Sequence, residues 1–208
     1  SDEAHEMELV YIDDVLDEFL RAMAGQPYYQ DVFCSIPIIY KKSLGEIATT
    51  LRSFVRCRET LSIPDQSDEW IKKLYSTYLS YLPEDKFSYD LIMHKDNRGS
   101  FTEFIRTLGQ GQFSVNISKP HILKGNHWHH SKHEKFLVVS GRGVIRFRKI
   151  GTKSIIEYNV SGERLEVVDI PPGYTHNIEN LGDGDMVTLM WANENFDSKH
   201  SDTFFLEV

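Results

Sequence analysis

The 208-residue sequence predicts a mainly β protein, a small barrel or sandwich of short strands preceded by a mostly helical segment. Three observations predict it. Beyond residue 86, β-branched and aromatic runs alternate with Gly, Asn, Asp and Pro turns. The runs are Gly111 to Val115, Phe136 to Val139, Gly143 to Phe147, Ile155 to Val160, Arg164 to Ile170, Met186 to Trp191 and Thr203 to Val208, a spacing typical of sandwiches and barrels. Before residue 86, apolar residues recur at helical period instead. Between two of the strand runs, four of the nine histidines fall within His127–His133. The boundary is placed in Leu82-Pro83-Glu84-Asp85, dividing 1–85 from 86–208.

In the first part, Met7 to Ile12 alternates like a strand and ends at Asp13-Asp14, which is read as the cap of a helix. Val15, Leu16, Phe19, Leu20 and Met23 follow at helical spacing, and Gly25 stops the helix. Val32 to Tyr40 is rich in Val, Ile and aromatics and is read as a strand. Ser43-Leu44-Gly45-Glu46 matches a capping box ahead of Ile47, Leu51, Phe54 and Val55. After Pro64, a third helix near Asp68 to Tyr81 carries Trp70, Leu74 and Tyr78. All three stripes are read as core packing.

His127 and His129 are two apart, so on a strand their imidazoles share a face while Trp128 points away. Glu134 opens the apolar Phe136-Leu137-Val138-Val139, read as the return strand. Pro171-Pro172-Gly173-Tyr174-Thr175-His176-Asn177 is positioned to bring in a third imidazole. His127, His129, Glu134 and His176 suit a first-row divalent metal, zinc by preference, with a position left open for water or substrate. His133 is read as solvated.

The net charge of −8 argues against a nucleic-acid or anionic-membrane surface, although a locally basic pocket remains compatible with a phosphorylated substrate. Cys34 and Cys57 lack metal spacing and are expected to pack as small apolar residues. With no signal peptide and no apolar run of spanning length, a cytoplasmic location is expected.

The spacing H-x-H, E, G met by His127, His129, Glu134 and Gly141 resembles the first cupin motif. Pro171, Gly173, His176 and Asn180 resemble the second. Both depart at their leading glycines, where this chain has His121 and Leu165. The resemblance implies a double-stranded β-helix barrel. Leu9-Val10-Tyr11-Ile12-Asp13-Asp14-Val15 resembles a "VYVDDV" segment late in extended short-chain dehydrogenases. No glycine-rich dinucleotide turn and no Tyr-x-x-x-Lys pair accompany it. Residues 1–85 are therefore expected to be the C-terminal remnant of such a reductase, with NADPH used only by a longer parent.

Asp96-Asn97-Arg98-Gly99-Ser100-Phe101-Thr102-Glu103 resembles the D-x-R-G-x-F-x-E stretch of nucleotide-sugar epimerases. The resemblance implies that Arg98, Phe101 and Glu103 hold the nucleotide and its diphosphate, consistent with guanidinium–phosphate and ring-stacking chemistry. Lys124-Gly125-Asn126-His127 is similar to their "RGLH", which adds Lys124 to the substrate contacts, and Lys135 falls where they carry a lysine near the 4-keto oxygen. Two departures matter: His127 here is also an expected metal ligand and cannot easily serve as the family's general base as well, and the family's acid tyrosine has no match near Thr188-Leu189. Tyr174 and His130 are the candidates for moving the proton.

Over nearly its whole length the chain resembles bifunctional capsular-polysaccharide enzymes of the UDP-N-acetyl-L-fucosamine pathway, which join a short-chain reductase to a zinc cupin. Phe113-Ser114-Val115-Asn116-Ile117-Ser118-Lys119-Pro120, Lys124 to His130 and Tyr174 to Leu181 carry that similarity. It implies epimerisation at carbon 3 of a UDP-4-keto-6-deoxy-N-acetylhexosamine, with the metal and Lys135 stabilising an enolate, and a homodimer. Two other classes remain open: an iron-dependent cupin dioxygenase, and a non-catalytic nucleotide-sugar-binding module with a structural metal.

Overall fold

Strand β1 (Glu6–Leu9) leads into helix α1 (Ile12–Met23), whose N-cap is Tyr11, without a side-chain cap bond. The expected cap at Asp13-Asp14 is thereby corrected. Both aspartates lie inside the first turn, where they complement the positive end of the helix dipole. Gly25, at φ +76°, ends the helix as expected. The core-packing reading of the α1 stripe is corrected too: Leu16, Phe19, Leu20 and Met23 are exposed, while Glu18 is buried.

The expected strand over Val32 to Tyr40 breaks into pieces. β2 (Tyr29–Gln30) and β3 (Phe33–Cys34) form a small hairpin in which Asp31 takes φ +58°. Only β4 (Tyr40–Ser43) pairs further, antiparallel to β1. Pro37 lies between them, and a residue without an N–H cannot continue a ladder. Cys34 is exposed, against expectation, whereas Cys57 is buried.

The computed structural model describes residues 2–109, 111–195, 197 and 199–208, in two units: Ser1–Glu59 with Pro64–Ser88, and Thr60–Ile63 with Tyr89–Val208. In the first unit, helix α2 (Leu44–Thr60) starts at the expected capping box. The Glu46 amide donates to Ser43 Oγ at 3.1 Å and the Ser43 amide to Glu46 Oε2 at 2.7 Å. Helix α3 (Glu69–Ser80) is capped by Asp68, whose carboxylate accepts from the Trp70 and Ile71 amides. Phe54, almost fully buried, packs 4.9 Å from the Tyr75 ring and 5.7 Å from Tyr78. Val55, expected on the same face, is exposed. Lys73 Nζ lies 2.7 Å from Asp14 Oδ2 and joins α3 to α1. Hydrogen bonding to that carboxylate pushes the lysine pKa up to about 12, against the effect of burial.

The second unit is built of antiparallel strands: β5 (His94–Asp96), β6 (Gly99–Arg106), β7 (Gln112–Ser118), β8 (Leu123–Trp128), β9 (Glu134–Ser140) and β10 (Arg142–Lys149) come first. β11 (Ile155–Ser161), β12 (Val167–Ile170), β13 (Tyr174–Asn180), β14 (Met186–Ala192) and β15 (Phe204–Phe205) follow. They form a six-stranded sheet, β12-β9-β14-β7-β6-β5, and a five-stranded sheet, β11-β10-β13-β8-β15. Phe136 and Val138 from one sheet meet Ile145, Phe147 and Ile178 from the other in a single apolar cluster. This is the expected cupin-type barrel. β13 has no apolar alternation to announce it, because His176, Asn177 and Asn180 are buried polar residues. The return-strand reading of β9 is corrected as well: β8 and β9 belong to opposite sheets, so the chain crosses the barrel between them.

Among the described residues, no helix is long and apolar enough to cross a membrane.

Candidate metal centre

The site begins with a backbone irregularity in β8. Lys124 pairs with Ile178, Gly125 with Asn177 and His127 with His176, leaving Asn126 as an extra residue. Gly125 has φ +108° and Asn126 φ +59°. Residues three apart on a regular strand face opposite ways, and the bulge removes that difference. Lys124 and His127 therefore both point inward. The Asn126 side chain secures the bulge by accepting from Asn177 Nδ2 at 2.9 Å. At Gly125 a Cβ would meet Asn177 Cα and His176 O at 2.9 Å each. Gly125→Ala is expected to cost about 2–4 kcal/mol through clash and backbone strain and to weaken metal binding by turning His127. Urea denaturation and a zinc titration of the same variant check both effects.

His127 leaves β8 pointing inward, His129 follows just past the strand end, Glu134 opens β9 and His176 stands on β13 directly opposite His127. One donor atom from each of the four lies within 4.8 Å of the others. Glu134 Oε2 is 3.5 Å from both His129 Nε2 and His176 Nε2. In a tetrahedron with metal–ligand bonds near 2.0–2.1 Å, donor atoms stand about 3.4 Å apart. His129 Nε2, Glu134 Oε2 and both His176 ring nitrogens are buried without a hydrogen-bond partner. Lone pairs left bare in a protein interior are costly unless something binds them. The donor set thus fits a divalent metal on distance, burial and chemistry.

The charges also agree. Burial, reinforced by neighbouring His176, pushes the His127 pKa down to about 4, so the ring is neutral near pH 7 and can ligate. Burial alone would raise the pKa of Glu134, but His129, His176 and cationic Lys132 hold its carboxyl well below the ordinary carboxylate value. A neutral imidazole at His127 and an ionised carboxylate at Glu134 are the forms that metal binding requires.

Lys132 is the residue that sequence reasoning passed over. Its ammonium, largely shielded, lies 3.3 Å from Glu134 Oε1. Lys135, expected near the oxyanion, is corrected. Glu134 faces inward, so its strand neighbour faces out, and Lys135 forms an exposed ion pair with Asp169. The signal for Lys132 was available, since it is two residues from the ligand carboxylate. Asp202 was missed for a different reason, being remote in sequence. Its carboxylate accepts from the His130, Ser131 and Lys132 amides, and its carbonyl accepts from His129 Nδ1.

His130 is not brought into the centre. It is exposed, with its ring 4.5 Å from Trp128 and 4.9 Å from Phe204 on the outer side. Tyr174 is half-buried against the apolar cluster and shares the inner face of β13 with His176. His133 is exposed, its ring 5.7 Å from Trp191.

Register carries the inner face across the six-stranded sheet. Val138, Thr188, Asn116 and Phe101 form one row, and Phe136, Met190, Ser114 and Glu103 the next. Phe101 and Glu103 therefore face the same interior as Glu134. Glu103 is held by Arg106 at 2.6 and 2.9 Å. Lys124 donates to Asn116 Oδ1 at 2.8 Å and to Ile117 O at 2.9 Å. Its burial pushes its pKa down, against the pull of Asp96. Arg98 sits at the β5–β6 turn, exposed, with its guanidinium on Asp96 Oδ2. A groove of ≈ 520 Å³ lies at the far end of β9, lined by Ser140, Arg142 and Ser161 among others. Its lining contains no imidazole.

The leading position of the first motif has a physical account. His121 adopts φ +58°, the left-handed region that favours glycine, and bears that conformation with a side chain. Gly141 has φ +82°, and a Cβ there would meet Met186 Cα at 2.9 Å.

Comparison with known proteins agrees with this fold. The family model described as the polysaccharide biosynthesis C-terminal domain matches residues 94–204, more than half of the chain. The chain belongs to that family. As a polysaccharide biosynthesis C-terminal domain protein, it is 44% identical over 203 residues to UDP-2-acetamido-2,6-beta-L-arabino-hexul-4-ose reductase of Pseudomonas aeruginosa. The match covers 98% of this chain and 54% of that relative. It is also similar to the capsular polysaccharide assembling protein CapF of Staphylococcus aureus, at 58% identity and a TM-score of 0.96, over 100% of this chain and 56% of that one. A structure of CapF with the inhibitor 3-isopropenyl-tropolone superposes with a TM-score of 0.97 at the same identity, over 100% of this chain and 61% of that one. The chain thus spans a little over half the length of these relatives.

Proposed function

We propose that the barrel of this polysaccharide biosynthesis domain is a nucleotide-sugar epimerase module. It inverts carbon 3 of a UDP-4-keto-6-deoxy-N-acetylhexosamine, with zinc or another first-row divalent metal held by His127, His129, Glu134 and His176. The observation that carries this reading is the set of buried, unpartnered donor atoms facing the same interior as Phe101, Glu103 and Lys124. The Pseudomonas relative is named for a hexul-4-ose, a sugar with its ketone at carbon 4, which makes the protons alpha to it acidic, that on carbon 3 among them.

Inversion needs that proton removed, its electron pair drawn onto the carbonyl oxygen, and a proton returned to the opposite face. A divalent metal, when bound, supplies Lewis acidity toward such an oxygen. Lys124 and Arg98 supply cationic donors for the diphosphate, and Phe101 an aromatic face for the uracil. Tyr174 is the proton-moving candidate that shares the inner face with His176. His129 and His176, with Lys132, favour the anionic form of Glu134. In a full-length parent, residues 1–85 would close a short-chain reductase that reduces carbon 4 with NADPH.

Incubation of the chain with the 4-keto sugar in D2O should place one deuterium at carbon 3, read by mass spectrometry and NMR. No incorporation by a folded, metal-loaded sample that still binds the nucleotide sugar would favour a binding module with a structural metal.

A further inference from the structure

The four donors are set by two sheets, but the loop from His129 to Glu134 has no strand to hold it. Gly173 and Asn193 hold its two ends, through His129 O and through His133, and its middle is held from the far end of the chain. Asp202 Oδ1 accepts from the His130 amide at 2.9 Å, and Oδ2 accepts from Ser131 N at 2.8 Å, Lys132 N at 2.9 Å and Ser131 Oγ at 3.1 Å. The carbonyl oxygen of the same residue accepts from His129 Nδ1. A carbonyl can only accept, so the His129 proton must sit on Nδ1. In the neutral ring that a metal requires, this leaves the Nε2 lone pair as the one aimed at Glu134 and His176.

We propose that Asp202 is the positioning residue of the metal centre. Its two ends act together: the carbonyl selects the ligating tautomer of His129, and the carboxylate shapes the loop that brings Lys132 onto Glu134. The proposal rests on the metal-centre reading above. The segment carrying Asp202 is anchored independently. Phe204 and Phe205 pair with Trp128 and His127, the Leu206 amide donates to Asn126 O at 3.0 Å, and Thr175 Oγ1 donates to Leu206 O. Loss of the carboxylate alone therefore leaves the strap in place. Partners of metal-ligating histidines typically contribute about 10–100-fold to metal affinity.

The test uses the whole chain, stripped of metal, as wild type, Asp202→Ala and Asp202→Asn. Zinc affinity is measured by competition with a chromogenic chelator, and cobalt(II) loading reports ligand geometry through its visible spectrum. Asp202→Ala keeps the carbonyl on His129 and loses only the carboxylate's hold on the loop, so it should bind zinc about 10-fold more weakly, the low end for such partners, with shifted cobalt bands and a metal-free melting temperature close to wild type. Asp202→Asn, which keeps one acceptor oxygen, should fall between; it also serves as the readable variant if the alanine form does not fold. Affinity within twofold of wild type together with an unchanged cobalt spectrum would overturn the proposal. So would an early melt of the metal-free variant with the cobalt bands unmoved, since that marks a merely structural role. A folded wild type that binds neither ion would instead overturn the metal-centre reading, and this inference with it.

Discussion

Replacing His129 with alanine is expected to remove metal and carbon-3 exchange together while the barrel stays folded. His129 lies beyond the end of β8, outside the apolar cluster of Phe136, Ile145, Phe147 and Ile178, so its loss leaves the main packing intact. What it removes is one of four donors. Total binding free energies of about 10–16 kcal/mol for four-ligand zinc sites put the loss of one ligand at roughly 10²–10³-fold in affinity. Elemental analysis after gel filtration should find metal near one equivalent in the wild type and close to none in His129→Ala. A folded, metal-free variant that still exchanges at the wild-type rate would remove the metal from the mechanism.

The second large effect is on stability, at Asn180. This fully buried amide donates through Nδ2 to Ser118 O, Lys119 O and Gly184 O at 2.9, 3.0 and 2.8 Å, and its Oδ1 accepts from Gly182 N at 2.8 Å. Ser118 ends β7 in one sheet and Asn180 ends β13 in the other, so a single side chain ties the two sheets and the following turn. Alanine would strand several backbone groups without water. At about 1–3 kcal/mol for each unsatisfied group, with partial relaxation, Asn180→Ala is expected to destabilise the barrel by about 3–5 kcal/mol. Denaturant unfolding followed by tryptophan fluorescence measures it. A loss below about 1 kcal/mol would mean that the turn repacks freely. Asn180 stands in the second motif four residues after His176, yet its work is architectural.

Much of the site was legible because its determinants are local. The parity of His127 and His129, the interval to Glu134 and the Pro-Gly turn before His176 all lie within short stretches, and the structure places those four side chains together. The Ser43–Glu46 box was legible for the same reason, being a contact across three residues. The failures share a cause: they depended on a parity or on a distance that a local pattern does not carry. Lys135 was one residue out of phase with the interior, and Lys132 was in phase. The inward turn of His127 depends on a bulge at Asn126 whose partner, Asn177, is far along the chain. Asp202 reaches the site across 73 residues. In the first unit, the α1 stripe had the period of a core helix but is exposed, because periodicity tells which residues share a face and not what covers it.

The most direct test of the account is the carbon-3 exchange reaction run on one sample in three states: as isolated, after exhaustive chelation, and after zinc is restored. The account predicts exchange that is lost on chelation, with the fold retained by circular dichroism, and that returns with zinc. Exchange that continues unchanged in the chelated, metal-free protein would contradict it.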